Sequence, residues 1–544
     1  MLEAGLSVRR VPRYVVALFF GGWLLLGLAV FGSYGTSWDE PVDRRNGLVS
    51  LQYAAGRLAP GWLARHQARL QDVPPLAGYP DNDHGVLFEL PLAWLDVVRP
   101  GTDPRTTYLL RHAAVFLVSL GGAWALYRLG RRYFHDERLG LLAAGLLLLS
   151  PRFFAESFFN GKDLVFMALF TAGAWALARL LARPTAGRAL LAGLATAAAT
   201  DVRLLGLLLV PFALALLGTQ LLAAQPARPR VAGAALVYLL ATAGGTVAGW
   251  PYLWEDPTSN LLAAYRSLSH FNWPGKVLYL GRELTASELP WHYPLVWLHV
   301  TTPLAYQAAA LLGLAVAAAA PLRRPAAQLR PPAGQLDALL LGWLLGPLVL
   351  VIGLQSILYD GWRHLYFIYP ALLLLAGRGG QWLWQQRGRS AGWRALALGA
   401  AALAGLEAGA TALRMVLLHP QQQVYFSYLP ARQVEQLFER DYWGLSYRQG
   451  LEYLVARQPQ GPIYLDVSHI PPLDNNKGWL RPADQARLVL APGAAGRYFL
   501  TGYRHTAGTY PDSVGQEVFS VRAEGVRILS IFRRERAGSA PVQW

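Results

Sequence analysis

Cysteine is absent from the 544 residues, so the chain can carry neither a disulfide framework nor a thiolate-held metal, and no redox compartment follows from it. Charge is scarce. Asp, Glu, Lys and Arg make up 15% of the chain, against roughly 25% in ordinary soluble domains, which argues against a water-soluble globule. Lysine is nearly missing too: Lys162, Lys276 and Lys477 are the only three, and arginine supplies nearly all the positive charge behind a net +16. An arginine-biased base composition accounts for that scarcity, although a lone lysine in a polar loop still draws notice. There is no fixed-period repeat, no low-complexity tract beyond Ala/Leu-rich helix, and no phosphate-loop or dinucleotide fingerprint.

What the chain has in quantity is apolar sequence: 54% of residues are hydrophobic and the mean hydropathy is positive. These residues fall in blocks rich in Leu, Ala and Gly, each near the roughly 20 residues that a helix needs to cross a bilayer. The blocks predict eleven spans, at 14–31, 108–127, 139–154, 163–181, 188–200, 203–222, 231–250, 294–320, 336–357, 362–379 and 394–418. The fold class expected is therefore an α-helical polytopic membrane protein, multi-pass in the inner (plasma) membrane. The first span has full length and no convincing cleavage pattern, so it reads as a retained anchor. Arginine clusters at 9–13, 128–138, 183–188, 228–230, 323–330 and 387–394 then all share one side, which the positive-inside rule makes cytoplasmic, together with the N-terminus. "ATDVR" at 199–203 reads as a hairpin between two short spans, because a single broken span would put the 228 and 323 clusters outside. Scattered over short loops, the arginines form no continuous face for nucleic acid.

The opposite, extracytoplasmic side collects the polar segments: loop 32–107, the link 150–163, the turn at Asp201, loop 251–293, the turn at Asp360 and everything after His419. Two domains are expected, a transmembrane domain 1–418 that includes loop 32–107, and a small external α/β domain 419–544. In the second, "SYRQGLEYLVAR" reads as a helix and "PIYLDV", "RYFLTGY" and "VRILSIF" as strands. Within loop 32–107, residues 46–70 alternate apolar and basic positions with helical period, as in a helix lying on a membrane surface.

Ionisable residues near membrane depth are costly and usually face a cavity or a partner. Here several cluster at the external span ends: Asp39 and Glu40 in "SYGTSWDEPVDRRNG", Asp163 at the end of "SPRFFAESFFNGKD" beside Lys162, Asp201, and Asp360 in "SILYDGWRHLYFIYP", with Arg203, Arg363 and His364 as cationic company. Together they suggest an outward-opening polar cavity. The 150–163 segment is either an interfacial connector or a site-lining one. Asp360, Arg363 and His364 at i, i+3 and i+4 fall on one helical face, as a self-paired cap or as a site for an anion such as phosphate, which a guanidinium fork suits. The aromatic runs 250–260 and 288–304 read as interfacial anchors or as a wall for a sugar or isoprenoid chain. "DNDHG" at 81–85 is a turn more readily than a metal site, and no metal ligand set is assigned.

These residues resemble the GT-C superfamily of membrane glycosyltransferases, in particular glycosyltransferase family 39, the protein mannosyltransferase and aminoarabinose transferase branch. The resemblance rests on "WDEP" after the first span, the polar link ending at Asp163, "DGWRHLYFIYP", and "DYWGLSYRQGLEYL" at 441–454. It covers nearly the whole chain. It implies a sugar donor carried on a polyprenyl monophosphate, an acceptor that is a lipid, glycan or protein on the outer face, and transfer that is usually inverting. It further implies Asp39 as general base, Glu40 as its neighbour, Asp163 as a second cavity acid, and Arg363 as the donor-phosphate ligand among His364, Lys162, Arg203 and Asp360. No cofactor is assigned, with a divalent cation left open. Glu156 and Gly161 depart from the group's pattern, where His and Pro are favoured. The alternatives are a polytopic lipid or glycan transporter or flippase, which would usually show matched repeats and broken helices, and an oligosaccharyltransferase-type enzyme, which would often carry a metal.

Overall fold

The computed structural model describes residues 9–99, 101, 103–223, 228–269, 273–323 and 333–534. A helix stands at each of the eleven apolar blocks. Seven described helices are long and apolar enough to cross a membrane, and a bent pair makes an eighth. The remaining blocks give shorter or more interrupted helices: Ala186–Thr200, Leu304–Arg323, and Tyr369–Gln386, the last preceded by the 3-10 turn Arg363–Ile368. The bent pair is Glu137–Leu148 with Pro151–Phe159, turned by 70°; Pro151 stands at the start of the second helix, where its missing N–H costs nothing. At Asp201 the chain does break into two helices, Ala186–Thr200 and Leu209–Ala223, with a 3-10 turn opening the second. Most of the basic cluster at 323–330 lies outside the described residues.

Helices in such a bundle gain by bringing backbones close, which favours small residues at the crossings. The helices Leu304–Arg323 and Tyr369–Gln386 meet this way: a Cβ on Gly313 would strike the Leu375 carbonyl, and one on Gly379 the Ala309 carbonyl. In the 288–304 run Tyr293 and Trp297 are interior, while Trp291 is 63% exposed. Tyr293 is 1% exposed and Trp297 is fully buried, so neither anchors the chain at a lipid interface.

Loop 32–107 begins with the 3-10 turn Phe31–Ser33, runs extended through Thr36 and Ser37, and enters the helices Glu40–Leu58 and Pro60–Leu70. Loop 251–293 holds the helix Pro257–Ser269 and a hairpin of β1 (Lys276–Tyr279) and β2 (Arg282–Thr285). The C-terminal region is α/β, as read. β3 (Ile463–Val467), β4 (Leu488–Leu490), β5 (Tyr498–Thr501), β6 (Gln516–Ala523) and β7 (Val526–Arg533) form one sheet in the order β4-β3-β5-β7-β6. β3 pairs parallel with β4 and β5, and β7 pairs antiparallel with β5 and β6. The helix Tyr447–Arg457 covers this sheet, with the Tyr453 ring stacked on Phe519 at 4.2 Å.

This region grips the opening loop. The buried Asn476 side chain accepts from the Thr36 N–H (3.0 Å) and donates to the carbonyls of Thr36, Gly444 and Pro472. Trp479 donates to the Thr36 hydroxyl at 2.9 Å, and Arg448 donates to the Gly32 and Tyr34 carbonyls at 2.8 Å. A Cβ on Gly35 would strike the Asn476 amide oxygen and lie 2.8 Å from the Leu445 carbonyl, so only glycine admits this close approach. Asn476→Ala would leave the buried Thr36 N–H without its partner, a loss of about 1–3 kcal/mol. The expected outcome is a lower thermal-unfolding midpoint of the detergent-purified protein, measured against Asn475→Ala, which removes only a bond to the Ser37 carbonyl and a longer one to the Trp38 carbonyl.

Candidate active site

Asp39 occupies the N-cap position of the helix Glu40–Leu58, yet its side chain caps nothing. Its Oδ2 instead accepts from Arg363 Nη1 at 2.8 Å. The guanidinium is 3% exposed and the carboxylate 33%, so a charge fixed in the interior meets one still open to the outside. The same Nη1 lies 3.3 Å from Asp163 Oδ2, and Nη2 lies 3.5 Å from Asp360 Oδ2. Arg363 thus faces three carboxylates. Its plane is bounded by the rings of Tyr359 and Trp443, at 5.0 and 4.9 Å.

Each carboxylate has further company. Asp163, 1% exposed, also binds Arg203 and receives an N–H from Asn160 at 3.1 Å. Asp360 accepts from Arg504 at 2.7 Å. Lys162 lies 3.6 Å from Asp43. Burial works to raise the pKa of Asp39, but the charges of Arg363 and then Lys162 outweigh it and hold the carboxyl below its ordinary value. Asp39 is therefore ionised at neutral pH, the state in which it can take a proton. Asp43 is pushed up to about 6 by burial, with Lys162 opposing and Glu89 and Asp39 adding to the rise.

Asp39, Asp163, Arg363, Arg203 and Asp360 are brought together as the sequence suggested, with Lys162 at their edge. His364 stands next to them, edge-on to the Tyr359 ring at 4.6 Å, and makes no ion pair among those described. The expected α-helical face of Asp360, Arg363 and His364 is corrected: Asp360 sits in a turn with φ 55°, and a 3-10 helix begins only at Arg363. Glu40 does not join the cluster. Its carboxylate turns back to accept the Ser37 N–H at 2.6 Å and faces His112 Nε2 at 3.1 Å, because successive helical residues point about 100° apart. Every residue of Pro151–Phe159 is buried, so this segment is interior and not an interfacial connector; Glu156 receives Tyr366 and Asn160 at 2.8 Å. Asp83 and His84 pair with each other at 3.1 Å in a turn, and among the described residues no group of three or more His, Asp or Glu could hold a metal.

Sequence reasoning missed Arg504, Trp443 and Asn160. Asn160 lies within the highlighted 150–163 segment and could have been found there. Arg504 reaches Asp360 across 144 residues, and no local pattern marks it.

Such a helical membrane architecture, with an acidic loop after the first span and a charge cluster at the span ends, defines a polytopic protein built for polar chemistry beside a bilayer. Residues 111–250 match the family model described as dolichyl-phosphate-mannose-protein mannosyltransferase. That segment holds Asp163, Lys162 and Arg203, and the match bears out the resemblance to GT-C membrane glycosyltransferases. Similar solved structures include ArnT from Cupriavidus metallidurans bound to undecaprenyl phosphate, 14% identical, covering 96% of this chain and 98% of that one, with a TM-score of 0.46. The apo form of the same protein covers 95% and 98%, at 14% identity and a TM-score of 0.47. Another is the oligosaccharyltransferase AglB from Archaeoglobus fulgidus, in complex with an inhibitory peptide and a dolichol-phosphate, 12% identical, covering 90% and 70%, with a TM-score of 0.48. No curated protein matches the sequence significantly.

Among the acids highlighted, Asp201 stays apart: it forms no ion pair within the described residues, and its Oδ1 is buried without a hydrogen-bond partner. Burial pushes its carboxyl up to about 8. A raised carboxyl pKa means that the unfolded chain gives up this proton first, so the site weakens the fold as pH rises from about 4 to 8. Asp201→Asn removes that dependence. The variant is expected to gain thermal stability over the native protein at pH 8 and little at pH 4.5, measured in detergent at both values.

Proposed function

We propose that this chain is a glycosyltransferase that moves a sugar from a polyprenyl-phosphate donor to a lipid, glycan or protein acceptor on the extracytoplasmic face. The observation that carries the reading is the contact of half-open Asp39 with buried Arg363. An acceptor hydroxyl is a poor nucleophile at neutral pH, and a positioned carboxylate helps by taking its proton as the oxygen bonds to the anomeric carbon. The bond from that carbon to the phosphate oxygen breaks, and the electron pair leaves with the polyprenyl phosphate, whose growing charge a guanidinium stabilises. The result is inversion at that carbon. Asp163 is the acid that holds Arg363 and Arg203 in place, and Lys162, Arg203 and His364 line the donor side.

The ion pair gives this scheme an order. Arg363 Nη1 serves Asp39 at rest, and an incoming phosphate competes for it. Losing a cationic neighbour raises a carboxyl pKa, so Asp39 becomes a stronger base as the donor seats. In a reconstituted assay with radiolabelled polyprenyl-phosphate sugars extracted from membranes, Asp39→Asn is expected to lose about 100-fold or more in transfer while unfolding near the native temperature; native turnover by the folded variant would overturn the assignment.

Orientation is testable because the background is free of cysteine. Gln67 and Ala186 are exposed on opposite faces of the proposed topology. Gln67→Cys should react with a membrane-impermeant maleimide in intact cells, and Ala186→Cys only after lysis. The reverse pattern would invert the topology.

A further inference from the structure

Asp360 is held between two guanidinium groups. Oδ2 faces Arg363 Nη2 at 3.5 Å, and Oδ1 accepts from Arg504 Nη2 at 2.7 Å. Arg504 belongs to the loop after β5. Both its neighbours, Tyr503 (φ 58°) and His505 (φ 64°), are left-handed, a conformation that costs non-glycine residues free energy and persists where surroundings enforce it. The enforcement is visible: the Tyr503 hydroxyl bonds Ser530 Oγ at 2.7 Å, and Arg440 lies over the Tyr503 ring at 4.5 Å.

From that position Arg504 touches three parts of the site. It packs over the Trp38 ring at 4.7 Å, binds Asp360, and donates through Nη1 to the Tyr442 carbonyl at 2.7 Å. Trp38 precedes Asp39, and Tyr442 precedes Trp443, the ring against which Arg363 lies. One side chain from the sheet region thus contacts Asp360 directly and the residues preceding Asp39 and Trp443.

Charge decides what this contact does. Arg363 is shared by Asp39, Asp163 and Asp360; Asp163 has Arg203 as a second cation, and Asp360 has Arg504. Buried Glu439 lies nearby, its two oxygens without hydrogen-bond partners; burial and then the charge of Asp360 push its carboxyl up to about 8, so it adds little negative charge at neutral pH. Without Arg504, Asp360 would have only Arg363. Unpaired buried carboxylates are costly and attract the nearest cation strongly, so Arg363 would be drawn from Asp39 and from any anion in the cavity.

We propose that Arg504 is a positioning residue of the reaction centre, one that neutralises Asp360 so that Arg363 stays available to the donor phosphate and to Asp39. This rests on the phosphate role given to Arg363 above. The test is titration of the purified full-length protein in detergent with undecaprenyl phosphate, followed by tryptophan fluorescence or thermal shift. Arg504→Gln is expected to weaken binding about tenfold or more, since it leaves buried Asp360 with Arg363 as its one cation and so in competition with the phosphate for it. Arg504→Lys keeps the charge but loses the second donor and the stack on Trp38, so it should bind more tightly than Arg504→Gln without matching the native protein. The double variant Arg504→Gln/Asp360→Asn should return to within about threefold as well, a rescue that a merely structural arginine would not allow.

Native affinity in Arg504→Gln, or a double variant as weak as the single, overturns the proposal. Should Arg504→Gln fail to fold, the double variant decides alone: near-native affinity supports the proposal, and a tenfold loss sinks it. Absence of binding by the native protein strikes the phosphate role of Arg363 and this proposal with it. Native binding that Arg504→Gln leaves unmoved strikes Arg504 only.

Discussion

A guanidinium buried among three carboxylates is the constraint around which this molecule is arranged. Arg363 is 3% exposed and lies within 3.5 Å of Asp39, Asp163 and Asp360. Removing such a group from water costs several kcal/mol per ion, recovered only if its partners are held in good geometry. Each partner comes from a different part of the chain: the loop after the first span, the start of the helix Asp163–Ala182, and the turn before the helix Tyr369–Gln386. The second cations, Arg203 and Arg504, complete the balance. Three acids and three arginines make a cluster near neutrality, so an arriving anion has to take a place that a carboxylate holds.

That balance links stability to chemistry. In the resting cluster Asp39 is kept acidic by Arg363, which stabilises the fold at neutral pH and weakens Asp39 as a base. The proposed donor relieves both effects in one step, since its phosphate substitutes for the carboxylate at the same nitrogen. Asp39 is also the one of the three acids with substantial exposure, 33% against 1% for Asp163 and 9% for Asp360. The exchange can therefore happen at Asp39 without opening the interior.

Much of this was legible in the sequence, for identifiable reasons. Apolar block length located the helices, because the bilayer imposes it, and acids at span ends located the cluster, because charge is too expensive there without a use. Adjacency misled at Glu40: next to Asp39 in sequence, it points elsewhere and closes the loop on the Ser37 N–H. The i, i+3, i+4 argument at Asp360 failed in form, since the turn and 3-10 start replace a regular helix, though Arg363 and Asp360 still meet. What could not be read was pairing at long range. Arg504 with Asp360 and Asn476 with Thr36 join segments whose local patterns carry no sign of each other, and only folded topology brings them together.

The grip of Asn476 on Thr36 spans 440 residues of chain. Segment 32–39 is synthesised well before the groups that fix it. Until the region around Asn476 has been made and docked, the backbone just ahead of Asp39 lacks the bonds that hold Thr36 in place. Contacts this distant in sequence form late, so a bundle inserted in the membrane with its tail unmade would hold Arg363 and Arg203 with their acids but lack both Arg504 and the clamp on Thr36.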